Sequence, residues 1–343
     1  AMSKSRGSSK SQGSAAVRRR EQQRQRQQEI SRGKQPQTRN RRRMRRNSGR
    51  RSAILVGGVL LVIALIIAYF FFTSAQPSSS GPDRTVASAS VVNAVTKVSP
   101  TLLSQIGTGG VANPFKASGS SSLLTGPTGK PEVFFYGAEW CPYCAAERWS
   151  IVVALSRFGT FHNLGETSSS STDSYPNTAT FTFYQSSYSS SYIDFVPLEN
   201  GDRQRNTLQT PNAAEQQILT TYNVAGYPFM DIGGRYLIEN PSYDPTVLRT
   251  NQQDASSQPL TGQQIANQLS TENTLSKNVL GVANYLTAAI CSITKNQPSQ
   301  VCSDTAIQSI ETSIAQTSQS NGPSGSSSLL SLAAFPAIDV RRW

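Results

Sequence analysis

EVFFYGAEWCPYCAAERWSIVVALSRF, residues 132–158, runs from a strand pattern through two cysteines into a helix pattern. Glu132-Val133-Phe134-Phe135-Tyr136 is a short apolar and aromatic run, as a buried strand requires. Residues 137–140 lead out of it. Residues 145–158 then show helical periodicity, with Trp149, Val152, Val153 and Leu155 available to pack inward. The order is strand, turn, Cys141-Pro142-Tyr143-Cys144, helix.

That order has chemical consequences. Cys141 falls at a helix N-terminus, where unpaired N–H groups and the helix dipole favour an anion. In such motifs a thiol pKa drops from about 8.5 towards roughly 3.5–7.5. A thiolate attacks a disulfide sulfur to give a mixed disulfide, and Cys144, one turn on, is placed to resolve it. Pro142 has no N–H to lose at a helix start. Three readings of the pair compete: a redox-active dithiol, half of a zinc site, or an inert structural disulfide. The strand-then-helix setting favours the first. Zinc would need Cys291 and Cys302 as its second half, and their spacing is unlike the usual two-to-four-residue gap. Those two cysteines are read instead as a structural disulfide joining the end of one helix to the start of the next. No metal or other cofactor is expected.

Outward from this centre, residues 178–184 alternate as a strand, and residues 191–198 suggest another that ends near Pro197. Residues 212–222 suit a helix. Residues 226–232 suit a strand entered through Pro228, with Gly233-Gly234 turning it into a hairpin over residues 235–239. Residues 261–295 read as one long helical stretch, and residues 304–315 as a further helix. Residues 86–106 suggest one or two short helices interrupted by Pro100, and residues 107–130 read mainly as loop.

Charge divides the chain sharply. Residues 1–52 hold 18 Lys/Arg against 2 Asp/Glu, whereas the remainder holds 14 against 18. The basic arm has too few apolar residues to fold alone. AILVGGVLLVIALIIAYFFF, residues 53–72, is 20 residues long and uncharged, enough for a helix of roughly 30 Å to span a bilayer. With the basic arm before it, the positive-inside rule places the N-terminus in the cytoplasm and the rest across the membrane. The charged region is too long and the apolar run too extended for an ordinary cleaved signal peptide. The arm is read as a topology signal touching anionic lipid; nucleic acid is the disfavoured partner. His162 is the chain's one histidine, which argues against His-based hydrolases. The expected division is 1–52 arm, 53–72 transmembrane helix, 73–85 linker, 86–260 redox domain, 261–317 C-terminal helices and 318–343 low-complexity tail.

EVFFYGAEWCPYC with its helix, followed downstream by NVAGYPFMDIGGRYL (residues 223–237), resembles the active-site strand, CxxC helix, cis-proline loop and terminal hairpin of the thioredoxin superfamily. FTFYQSSYSSSYIDFVPLE (residues 181–199), with the anchor and C-terminal helices, resembles an uncharacterised membrane-anchored thioredoxin-like family known as a domain of unknown function. The resemblance implies an α/β thioredoxin-like fold, a central mixed sheet flanked by helices, with a C-terminal helical extension. It implies Cys141 as nucleophile, Cys144 as resolving cysteine, and Pro228 as a cis proline that, with Tyr227, receives substrate; an ordinary trans turn proline is the alternative. Thioredoxins carry a buried carboxylate six residues before the first cysteine, where this chain has Phe135. Glu139 or Glu147 could substitute in proton transfer, but each reads equally as a solvated residue. The expected activity is a membrane-anchored thiol–disulfide oxidoreductase, oxidase or isomerase rather than reductase. It would act on extracytoplasmic protein thiols and disulfides with a redox partner the sequence does not identify. A catalytically silent thioredoxin-fold scaffold is the alternative.

Overall fold

A computed structural model describes residues 84–320. The basic arm, the apolar run at 53–72 and most of the linker and tail lie outside the described residues. Among the described residues, no helix is long and apolar enough to cross a membrane.

The chain alternates strands and helices around a mixed sheet. Short β1 (Thr85–Val86) precedes α1 (Ala89–Thr96) and α2 (Pro100–Ile106); β2 (Lys116–Ala117) lies in the loop region that follows. Then come β3 (Glu132–Gly137), α3 (Pro142–Leu155), β4 (Gly159–His162), β5 (Gly165–Ser168), β6 (Ala179–Thr182), β7 (Ser187–Ser190) and β8 (Asp194–Glu199). The remainder holds α4 (Ala213–Thr221), β9 (Phe229–Ile232), β10 (Tyr236–Ile238), a 3-10 turn at Pro245–Leu248, α5 (Gly262–Gln268), α6 (Thr274–Ile293), α7 (Ser299–Cys302) and α8 (Thr305–Ser320).

The main sheet has the order β2-β10-β9-β3-β8. β3 runs parallel to β8 and antiparallel to β9, which pair with its two edges; a hydrophobic core also packs on each of its faces, and its apolar run follows from that. Val133 and Phe135 face one core with Met230 and Ile232, while Phe134 faces a second with Leu198, Phe229 and the α4 residues Ile218 and Leu219. α3 and α6 lie on the first side. Ser150 of α3 donates to the Val279 carbonyl of α6 at 2.8 Å, and Trp149 packs on Phe181 of β6 with ring centroids 4.5 Å apart. Asn284 of α6, fully buried, donates to the carbonyls of Leu103 and Gly107 and so satisfies the end of α2. Gly281 permits that approach: a Cβ there would lie 2.3 Å from the Thr108 carbonyl oxygen.

Several expectations are corrected. The stretch at 261–295 is two helices, because Asn273 forms a capping box with Ser276 and starts α6 afresh. Pro197 does not end its strand but sits inside β8, opposite Phe135. β8 is an edge strand, where a missing N–H is tolerated. The Ser/Thr-rich stretch at 167–172, which reads as loop in the sequence, begins inside β5, and Thr85, placed in the linker by sequence, pairs with Glu166. Helix α8 continues to Ser320 rather than stopping at 315. Cys291 and Cys302 form a disulfide, so neither is free to complete a zinc site with the CxxC pair. Among the described residues, no group of three or more His, Cys, Asp or Glu could hold a metal ion.

Candidate functional site

β3 delivers the chain to a turn in which the Cys141 N–H donates to the Ala138 carbonyl at 3.2 Å. Cys141 then takes extended backbone angles and caps α3, its thiol accepting the Cys144 N–H at 3.2 Å. Pro142 occupies the first helical position, and Cys144 lies one turn in. Both cysteines are free thiols.

The two sulfurs differ in acidity. Burial pushes the Cys141 thiol up, but the Cys144 thiol and N–H, together with the Arg148 charge, outweigh it and bring Cys141 below the ordinary thiol range. Cys144 goes the other way, held well above that range by burial and then by the hydrogen bond and charge of Cys141. One thiol is therefore disposed to ionise while its neighbour keeps a proton.

Beneath them lies an ion pair that the sequence reading missed. Arg148 and Glu199 are fully buried, and the guanidinium forks onto the carboxylate, Nε to Oε1 at 2.9 Å and Nη2 to Oε2 at 2.6 Å. Arg148 Nη1 makes no hydrogen bond, and the guanidinium carbon lies 5.5 Å from the centre of the Phe135 ring. A signal was present: Arg148 follows Cys144 by four residues, on the same helix face, in a helix otherwise rich in apolar residues.

Glu139 and Glu147 are not solvated. Every residue of α3 except Tyr143 is buried, since α6, β6, α1 and the 3-10 turn at Pro245–Leu248 all pack on it. Glu139 is fully buried and neither carboxylate oxygen is hydrogen-bonded; burial raises its pKa, against a weaker downward pull from the Thr182 hydroxyl. Glu147 accepts from the Ser242 N–H at 3.2 Å and Oγ at 2.8 Å, and burial lifts it to about 7. Glu139 acts electrostatically on Arg148, which also acts on both thiols; Glu147 bonds away from the dithiol, towards Ser242.

The Tyr227-Pro228 peptide is cis. The Tyr227 hydroxyl donates to Asn200 Oδ1 at 2.6 Å and lies 3.2 Å from that of Tyr136. Burial, first, and then Tyr136 and the charges of both thiols raise its pKa. Tyr227, which precedes Pro228, is thus within electrostatic reach of Cys141 and Cys144, and its ring meets that of Trp140 edge-on at 5.5 Å.

Residues 115–222 match the profile of a family described as a domain of unknown function (DUF929). The match includes both CxxC cysteines, Arg148 and Glu199, and ends before Tyr227. Comparison with curated proteins and with solved structures returns no match.

The site is covered. Cys141 is only 3% exposed. The Ser170 N–H donates to the Trp140 carbonyl at 3.0 Å, and the Tyr175 ring meets Tyr143 at 5.7 Å. Arg205 lies 4.0 Å over the Trp140 ring and pairs with Asp173 at 2.8 Å. Two loops, one at 169–178 and one at 200–211, therefore grip the residues on either side of Cys141.

Proposed function

We propose that this chain is a membrane-anchored thiol–disulfide oxidoreductase with a thioredoxin-like domain, acting on extracytoplasmic protein thiols and disulfides through Cys141 and Cys144. The observation that carries the reading is the unequal pair of free thiols: Cys141 caps the helix and accepts the Cys144 N–H, which with Arg148 lowers its pKa, while fully buried Cys144 is raised. Tyr227 near the thiols, the parallel β3–β8 pair and the β9–β10 hairpin support the thioredoxin-like assignment. The anchor and compartment rest on the apolar run and the basic arm.

In the forward step the Cys141 thiolate attacks one sulfur of a substrate disulfide. A Cys141–substrate disulfide forms and the other substrate sulfur leaves as a thiolate. Cys144 then loses its proton and attacks Cys141, which releases the second substrate thiolate and leaves the Cys141–Cys144 disulfide. The reverse sequence oxidises a substrate dithiol.

The burial of Cys141 favours a second reading, a scaffold that keeps the fold without turnover. Insulin reduction by dithiothreitol, followed as turbidity, separates the two. The oxidoreductase reading expects acceleration by the full chain and none by Cys141→Ser. Equal rates for the two proteins would sink it.

A further inference from the structure

We infer that Arg148 is a positioning residue that sets the direction of electron flow: buried beside both cysteines and oriented by Glu199, its charge favours the reduced pair and makes the disulfide form an oxidant of substrate thiols. This inference rests on the oxidoreductase reading above.

Three observations converge on it. Arg148 sits one turn after Cys144 on the same helix face, and its charge acts on both thiols. It is fully buried, where charge interactions are weakly screened. Its guanidinium is fixed by the fork to Glu199, leaving Nη1 without a hydrogen bond. Arg148 also lies over the Phe135 ring, 5.5 Å from its centre, so the cation meets an apolar surface rather than water.

The consequence follows from which redox form carries charge. In the reduced pair Cys141 is the thiol that ionises more readily, and its thiolate form gains from a neighbouring cation. The disulfide is neutral and gains little. Stabilising the reduced form raises the potential of the couple. In the resulting reaction a substrate dithiol gives two electrons to the Cys141–Cys144 disulfide. One of its two protons ends on Cys144, whose burial keeps it there, and the other goes to solvent as Cys141 leaves as a thiolate. A disulfide-bearing acceptor takes the two electrons back by a second exchange and restores the oxidised pair.

The full chain, equilibrated in reduced and oxidised glutathione, tests this, with Cys141 and Cys144 scored by alkylation and mass spectrometry. Wild type must show a two-electron transition at this pair. Its absence defeats the oxidoreductase reading itself, whatever Arg148 does. Given the transition, Arg148→Met/Glu199→Gln removes the ion pair as a unit, a change that buried pairs often tolerate. It is expected to move the equilibrium constant at least about tenfold towards the disulfide, or about 30 mV more negative. An unchanged constant, or a shift towards the dithiol, overturns the inference. If that variant does not fold, Glu199→Gln alone decides. With the opposing charge of Glu199 gone, Arg148 acts more strongly on Cys141, so the constant must move at least about threefold towards the dithiol, and no movement or the opposite one overturns the inference.

Discussion

Glu147→Gln isolates the cost of a buried charge in the helix that carries the dithiol. The carboxyl is fully buried, bonded to Ser242, and raised from 4.5 to about 7 by burial. Its folded pKa lies above its unfolded one, so between these values the folded state holds the extra proton. Its contribution to stability is complete below pH 4.5 and is lost as pH rises towards 7. At about 1.4 kcal/mol per pKa unit, the loss between pH 5 and pH 8 is roughly 2–3 kcal/mol. Glutamine carries no such charge, but its NH2 cannot accept from Ser242, which costs about 1 kcal/mol. The variant should therefore be about 1 kcal/mol less stable than wild type near pH 5 and about 1–2 kcal/mol more stable at pH 8. Glu132, raised to about 7, and Asp231, raised to about 6, add slopes of the same sign. Both remain in the variant, so the difference between the two curves belongs to Glu147. Denaturant unfolding of the full chain in detergent at several pH values measures it. Parallel curves would refute the reasoning.

Three further outcomes are expected. Asp173→Asn, which removes the partner of Arg205, should speed alkylation of Cys141 several-fold by loosening the loops over Trp140; an unaltered rate would mean that these loops do not limit access. Cys291→Ala/Cys302→Ala opens a cross-link between residues separated by 11 in sequence and should lower stability by about 3 kcal/mol, read as a shift in denaturant midpoint; a loss well under 1 kcal/mol would contradict this. Trp149→Ala removes the ring packed on Phe181 and the hydrogen bond to the Ala179 carbonyl. It should cost about 3–5 kcal/mol in unfolding free energy, and a loss below about 1 kcal/mol would show that the site collapses around the void.

The central strand and the dithiol helix are legible in the sequence because both are enclosed. Full enclosure turns β3 into an unbroken apolar run, and the cysteine pair marks where the helix starts. β4 (GTFH), β5 (GETS) and β7 (SYSS) pair in two small sheets apart from the main one. Their Ser, Thr and Gly residues give no apolar period to read, so they pass for loop. Arg148 and Glu147 were obscured for a different reason. A charged pair in a helix reads as a solvated face, and what buries this one includes α6, more than a hundred residues later. Glu199 ends a strand whose burial likewise depends on distant partners. The sequence identifies the cysteines and the proline; the charges that act on them emerge only from tertiary packing.

The most direct test of the central claim is whether Cys141 forms a mixed disulfide with a protein substrate. Cys144→Ala cannot resolve such an intermediate. Incubated with insulin, the full-chain variant is predicted to form an adduct through Cys141 that dithiothreitol cleaves, and Cys141→Ser/Cys144→Ala to form none. No adduct with Cys144→Ala, or an equal amount with the double variant, would contradict the account.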